Sequence, residues 1–304
     1  MKTKLNKLLV LMLLVPCMIL LTACGGIGKH HDFNWRFWER EQENANIIDG
    51  NQNGNNTDNG NKIEFENISF AEDCWSIVGL VSGEIARGAD PADFNYFVGD
   101  EKDIPFPTTQ NPFQYITVRI LGFNHDNLAD GSGKAGISIG MIGVLGESHI
   151  MNATGTNSGG WNASDMRIQT LPALFEILPS ELQAVIKPVV KTSLAGNQSL
   201  DIVETHDKLW LLSQEEIIGR FVGTPDISGE GYQYEFWRYA GDHYPMQAPN
   251  PLRVKTTWTG MPMLWFLRSS VMFNNSSFSA VSAGGAIDHI NASFPRGVSF
   301  AFAV

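Results

Sequence analysis

The apolar positions of this chain change their period several times, and each period predicts an element. From Ser69 the pattern is helical: Cys74, Ile77, Val78, Val81 and Ile85 recur at three- and four-residue spacing, and Gly88 ends the run. Ser69 followed by Glu72 is a capping-box pattern, which predicts a helix opening at Ser69 and a buried core thiol at Cys74. Tyr115 to Phe123 alternates and is partly β-branched, so it reads as a strand, and Ile137, Ile139 and Met141 make a second one. Ser180 opens a helix whose one face carries Leu182, Val185, Ile186 and Val189, with Pro188 bending or ending it. Lys208 to Leu212 is a short strand, and Ser213 with Glu216 is a second capping box that starts another helix. Leu264 to Ser269 and the run Phe278 to Val281 follow as strands, then the turn Ala283-Gly284-Gly285. A last strand has Val298, Phe300, Phe302 and Val304 on one face. The order predicts an α+β single domain with an antiparallel sheet and a few helices.

The start of the chain follows a different logic. Lys2, Lys4 and Lys7 precede the uncharged run Leu8 to Leu21, broken only by Pro16. That run is short of the roughly 20 residues a transmembrane helix needs, and a charged segment before a short apolar one reads as a secretory signal. Leu21-Thr22-Ala23-Cys24 then resembles the lipobox of bacterial lipoproteins, which implies a signal peptide over 1–23 and diacylglycerol on the Cys24 sulfur. The partner so implied is a membrane of the bacterial cell envelope, held through that lipid. Each buried CH₂ contributes about 0.8 kcal/mol, so two or more chains anchor stably. Of three cysteines, Cys17 leaves with the signal and Cys24 carries lipid, so Cys74 is left without an intrachain partner. An exported chain of this kind depends on its core for stability.

Residues 24–62 read as a lipidated flexible tether and 63–304 as a surface α+β domain. Within the tether, Gly50 to Asn61 has no apolar side chain to bury. Phe33, Trp35, Phe37 and Trp38 interleave with Arg36 and Arg40, a composition suited either to a membrane interface or to packing against the domain. Formal net charge is −11, from 21 basic and 32 acidic residues. No basic cluster follows the signal, which argues against nucleic acid as a partner.

Candidate chemistry concentrates in two places. Gly219 to Pro262 is long, rich in glycine, proline and aromatic residues, and without clear period, which marks a functional segment in a compact domain. Tyr232, Tyr234 and Phe236 alternate as a core-facing strand would. Trp237, Tyr239, Tyr244 and Trp258, near Asp242 and His243, are then candidates for a ligand platform, flat rings suiting sugar faces and the carboxylate suiting hydroxyls. The alternative is a satellite core beneath the loop. Asn124, Asp126, Asn127, Asp130 and Ser132 crowd a second loop whose oxygen atoms, Asp126 and Asp130 first, suit Ca²⁺ or else a set of Asx turns without metal. Arg268 reads as a partly buried arginine paired with a carboxylate. The His-Asp pairs at His31, His125 and His206 lack a helical setting and are treated as chance. No metalloprotease, nucleophile-elbow, phosphate-loop or dinucleotide motif is present.

Several motifs in order resemble a bacterial family of surface and lipoprotein domains known as domain of unknown function 6273. They are Val98-Gly99-Asp100, Gly159-Gly160-Trp161 with Ser164 and Arg167, Asp207 to Ser213, Trp265-Phe266-Leu267-Arg268-Ser269, the Gly284-Gly285 turn, and Gly297-Val298 before Phe300. The family implies no activity. The last three of these also resemble the end of C-type-lectin-like and formylglycine-generating folds, with Ser299 standing where such sequences often carry Arg. The oxidase chemistry of the latter uses paired cysteines, and Cys74 has none. The sequence therefore leads to a non-catalytic surface binding domain for a glycan or protein ligand. The alternative is a polymer-acting enzyme with a dispersed carboxylate pair such as Glu215 and Asp242. The anchoring expectation is checked by metabolic labelling: a fatty acid should mark the wild-type chain, and Cys24→Ser should carry no label.

Overall fold

The computed structural model describes residues 69–108, 111–112, 114–219, 229–239 and 249–304. The signal, Cys24 and the aromatic tether segment lie outside the described residues. Ile68–Val304 forms one compact unit. It is an α+β domain with several antiparallel sheets and a few short helices.

A five-stranded sheet has the order β1-β2-β3-β12-β6. Its strands are β1 (Glu101–Pro105), β2 (Tyr115–Phe123), β3 (Ile137–Met141), β12 (Phe300–Ala303) and β6 (Trp210–Leu211). The alternation in β2 buries Ile116, Val118 and Ile120, while Tyr115 is exposed. β3 and β12 are buried along their whole length, as central strands covered on both faces must be. Helix α1 (Trp75–Ala86) lies on this sheet, burying Trp75, Val78, Val81 and Ile85, with Trp75 edge-on to Phe302 at 6.0 Å. The approach is close: a Cβ on Gly136 would stand 1.9 Å from the Ser82 carbonyl oxygen.

The helix starts later than the capping-box reading predicts. Ser69 to Glu72 forms a turn in which Glu72 and Asp73 donate to the Ser69 carbonyl, and Cys74 caps α1 from outside. Cys74 is consequently only partly buried, its Sγ 3.0 Å from the Ser76 hydroxyl. Helix α2 (Leu171–Phe175) and helix α3 (Ser180–Val185) follow a Gly-Gly-Trp turn. α3 stops before Ile186, and Val189, placed on its face by the sequence pattern, instead begins a strand.

That strand is β4 (Val189–Leu194), paired in an antiparallel hairpin with β5 (Ile202–Asp207). Helix α4 (Gln214–Ile218) opens on the full capping box: the Ser213 hydroxyl accepts from the Glu216 amide and the Glu216 carboxylate accepts from the Ser213 amide. The segment read as irregular contains a helix, a 3-10 turn over Pro251–Arg253 and a short hairpin. Helix α5 (Glu235–Tyr239) replaces the strand expected through Tyr232 and Phe236, and β7 (Lys255–Thr256) pairs with β8 (Pro262–Met263). A three-stranded sheet completes the domain, β9 (Trp265–Ser270) and β11 (Ile287–Asn291) flanking β10 (Ser277–Val281). The β10–β11 turn uses Gly285 at φ 84°, where a Cβ would also strike the Asn250 carbonyl at 2.0 Å. Among the described residues no helix is long and apolar enough to cross a membrane.

Candidate functional site

Two features stand apart from ordinary core packing: a buried set of charges and an exposed aromatic hairpin. The charges centre on Glu216 in α4 and Arg268 in β9. Arg268 Nη1 and Nη2 donate to Glu216 Oε2 and Oε1 at 2.5 and 3.0 Å, the paired geometry that a guanidinium favours. Its remaining N–H groups donate to the backbone carbonyls of Thr192, Leu211 and Glu230. Burial opposes charge on Glu216, but Arg268 and then Lys191 outweigh it and pull its carboxyl down to about 2. Lys191 reaches in from β4 and donates to Glu216 Oε1 at 2.8 Å, Asp126 Oδ1 at 2.5 Å and the Tyr234 hydroxyl at 3.0 Å, with its ammonium 4.2 Å from the Trp210 ring. The Ser138 hydroxyl donates to Asp126 Oδ2 at 2.6 Å and the Tyr234 hydroxyl to the same oxygen at 2.9 Å. Glu230 closes the set, accepting from the Leu194 amide and the Ser269 hydroxyl, its carboxyl raised by burial.

The sequence reading of Arg268 as paired with a carboxylate holds, but the side chain is fully rather than partly buried. Asp126 takes an inward role: it is 5% exposed and its oxygens face Lys191, Tyr234 and Ser138. Asp130 stays at the surface, receiving the Ser132 amide and hydroxyl in an Asx turn. Among the described residues, no group of three or more His, Cys, Asp or Glu side chains is placed to hold a metal ion. Neither Lys191 nor Tyr234 was singled out from the sequence for this cluster.

A second carboxylate hub lies nearby in the β4–β5 hairpin. Asp207 accepts from Trp161 Nε1 at 2.9 Å, Arg167 Nε at 2.7 Å and the Thr205 hydroxyl at 2.7 Å. Gly160 precedes Trp161 at φ 56°, and a Cβ there would meet the Leu194 carbonyl at 2.0 Å. Residues 141–304 match the family described as Domain of unknown function (DUF6273). The chain belongs to that family. No curated protein and no solved structure matches it. Of the motifs quoted from the sequence, Val98-Gly99-Asp100 lies outside the matched residues, while Trp161, Arg167 and Asp207 meet at one buried hub and Arg268 stands at the other.

The expected aromatic platform is divided. Trp237 is 3% exposed, edge-on to Phe236 at 5.1 Å, and takes the core alternative. Tyr239 is 70% and Trp258 67% exposed. Among the described residues no ring contact joins Trp258 to Trp237 or Tyr239. Asp242, His243 and Tyr244 lie outside the described residues. Of the dispersed carboxylate pair, Asp242 is likewise outside them, while Glu215 Oε2 accepts the Gly229 and Glu230 amides at 3.0 and 2.7 Å.

Trp258 stands at the tip of the β7–β8 hairpin, where Thr257 N donates to the Met261 carbonyl and Gly260 N to the Thr257 carbonyl. Its indole lies over Gly146, whose missing Cβ leaves the space: a carbon there would be 3.2 Å from the ring. Trp258, Met261, Pro262 and Met263, with Thr257 and Thr259, wall an open depression of ≈ 220 Å³. Beneath the hairpin Lys255 is buried, its ammonium donating to the Met141 carbonyl and lying 4.8 Å from the Trp265 ring. The Ser299 hydroxyl reaches the same carbonyl at 3.4 Å.

Two predictions follow from these charges. Arg268→Met should cost about 3–5 kcal/mol, because it strands a buried carboxylate, and denaturant unfolding measures it. Burial, then the nearby Arg119 charge, lowers Lys255 to about 7 from an ordinary 10.5. Above pH 7 the unfolded chain keeps a proton there that the folded chain has lost, so stability should climb with pH from about 7 toward 10. Chemical unfolding across that range should show the climb in the wild type and a flatter course in Lys255→Met.

Proposed function

We propose that this protein is an envelope lipoprotein, anchored through Cys24, that displays a non-catalytic glycan-binding domain. The observation that carries the binding assignment is the solvent-facing Trp258 indole at the mouth of an open depression. A large ring left in water at a loop tip is costly unless something covers it. Its neighbours combine a flat apolar face with two threonine hydroxyls, which are 2.8 Å apart. That pairing suits the alternating C–H faces and hydroxyls of a sugar. Tyr239 offers a second exposed ring for a longer ligand or a different contact. The lipobox resemblance supports the anchoring, and the linker Gly50 to Asn61, which has no apolar side chain, supports display away from the bilayer.

A glycan array probed with the wild-type protein should reveal bound sugars, and Trp258→Ala should abolish that binding. The same variant should change stability by no more than about 0.5 kcal/mol, since it alters an exposed position. A wild-type protein that binds no glycan, or a Trp258→Ala protein that binds equally well, removes the assignment.

A further inference from the structure

We propose that Lys191 and Asp126 become joined by an intramolecular isopeptide bond. The two side chains meet in a closed interior: both residues are about 95% buried, and the amine nitrogen is 2.5 Å from Asp126 Oδ1. A nitrogen so close to one carboxyl oxygen lies about 3–3.5 Å from the carboxyl carbon, within the near-attack range. The backbone fixes this meeting independently of the charges. Val190 N donates to the Asn127 carbonyl at 2.8 Å, and Leu128 bridges to Val189, so the segment holding Asp126 runs beside β4.

The surroundings supply each part of an amide-forming step. Trp210 and Tyr234 cover the amine, their ring centroids 4.2 and 5.4 Å from it, which excludes water from the condensation. The hydroxyls of Ser138 and Tyr234 donate to Asp126 Oδ2, where negative charge develops when the carbon becomes tetrahedral. Glu216 Oε1, 2.8 Å from the amine, holds it in place, and the Tyr234 hydroxyl, which touches both the amine and Asp126 Oδ1, can relay a proton between them.

The step balances without any added reagent. The ammonium passes one proton to Asp126 Oδ1 along their shared hydrogen bond, leaving a neutral amine and a carboxylic acid. The nitrogen lone pair forms the N–Cγ bond, and the electrons of the C=O bond move onto Oδ2. The Tyr234 hydroxyl, 3.0 Å from the amine and 3.1 Å from Oδ1, takes a second proton from the now positive nitrogen and passes its own to the Oδ1 hydroxyl. The Cγ–Oδ1 bond breaks, water leaves, and the C=O bond to Oδ2 re-forms. Three protons of the ammonium end as one amide N–H and two on water. Nothing is oxidised or reduced.

The bond would tie the sheet side of the domain, through the loop after β2, to the β4–β5 hairpin. It would give an exported chain with a single domain cysteine the covalent closure that disulfides give others.

The test is peptide mapping by mass spectrometry of the purified, folded full-length protein after denaturation and trypsin digestion. A free Lys191 is a cleavage site and an amidated one is not. The expected result is a branched peptide joining the segment 120–134 to a segment read through Lys191, one water lighter than the two together. In Lys191→Arg, which keeps the cation and removes the amine, that peptide should vanish while the circular dichroism spectrum stays native. Quantitative cleavage after Lys191 in the wild type, with segment 120–134 at its linear mass, overturns the proposal. So does a branched peptide that persists in Lys191→Arg.

Discussion

The domain is organised around one demand: a guanidinium with no access to water needs all five of its N–H groups answered. Arg268 is fully buried, and its donors reach the Glu216 carboxylate and the carbonyls of Thr192, Leu211 and Glu230. Those acceptors belong to α4, β4, β6 and the segment that follows Gly229. A lysine, with three donors around a point charge, could not hold four pieces of chain in one plane. Taking these charges from water costs several kcal/mol for each ion, and the mutual pairing of Arg268, Lys191, Glu216 and Asp126 offsets it. None of the four can be removed singly without leaving an unpaired charge in the interior. The set therefore fixes the alignment of β4, α4 and β9 more firmly than apolar contact would, because apolar surfaces slide at little cost and these do not.

The Asp207 hub extends the same principle along the β4–β5 hairpin, where Asp207 pairs with Val189 and Thr205 with Lys191. Trp161, Arg167 and Thr205 each spend a donor on one carboxylate, and Gly160 permits the close backbone approach that seats Trp161. Trp161, Arg167, Asp207 and Arg268, which build these two hubs, all lie within the residues that match DUF6273, as does the Trp258 hairpin.

Much of this frame is legible in the sequence because its signals are local. Tyr115 to Phe123, Ile137 to Met141 and the Ser213 capping box announce themselves by period and by side-chain spacing. The hairpin of β4 and β5 does not, because its inward positions include Lys191 and Ser193, and a pattern of apolar residues cannot register a strand that buries charge. Nor could spacing reveal that Asp126, Lys191, Glu216 and Tyr234 converge, since only the fold brings residues so distant along the chain together. Cys74 is less buried than its helical spacing predicts, because the Glu72 and Asp73 amides donate to the Ser69 carbonyl in a turn that ends before α1 begins. Trp237 and Trp258 are indistinguishable in composition. One is covered beside Phe236 and the other stands over a glycine at a hairpin tip.

The position of β12 has a kinetic corollary. It pairs with β3 through Ala301 and Gly140 and with β6 through Phe300 and Leu211, filling the gap between strands that are themselves far apart in sequence. Such contacts close very long loops, and chains dominated by them fold slowly. Until β12 arrives, β3 and β6 each present an unpaired edge lined with apolar side chains, the kind of surface on which partly folded chains aggregate. The vulnerable interval in the life of this molecule is thus the wait for one four-residue strand, and conditions that shorten that wait should raise the yield of soluble protein more than conditions that strengthen the finished fold.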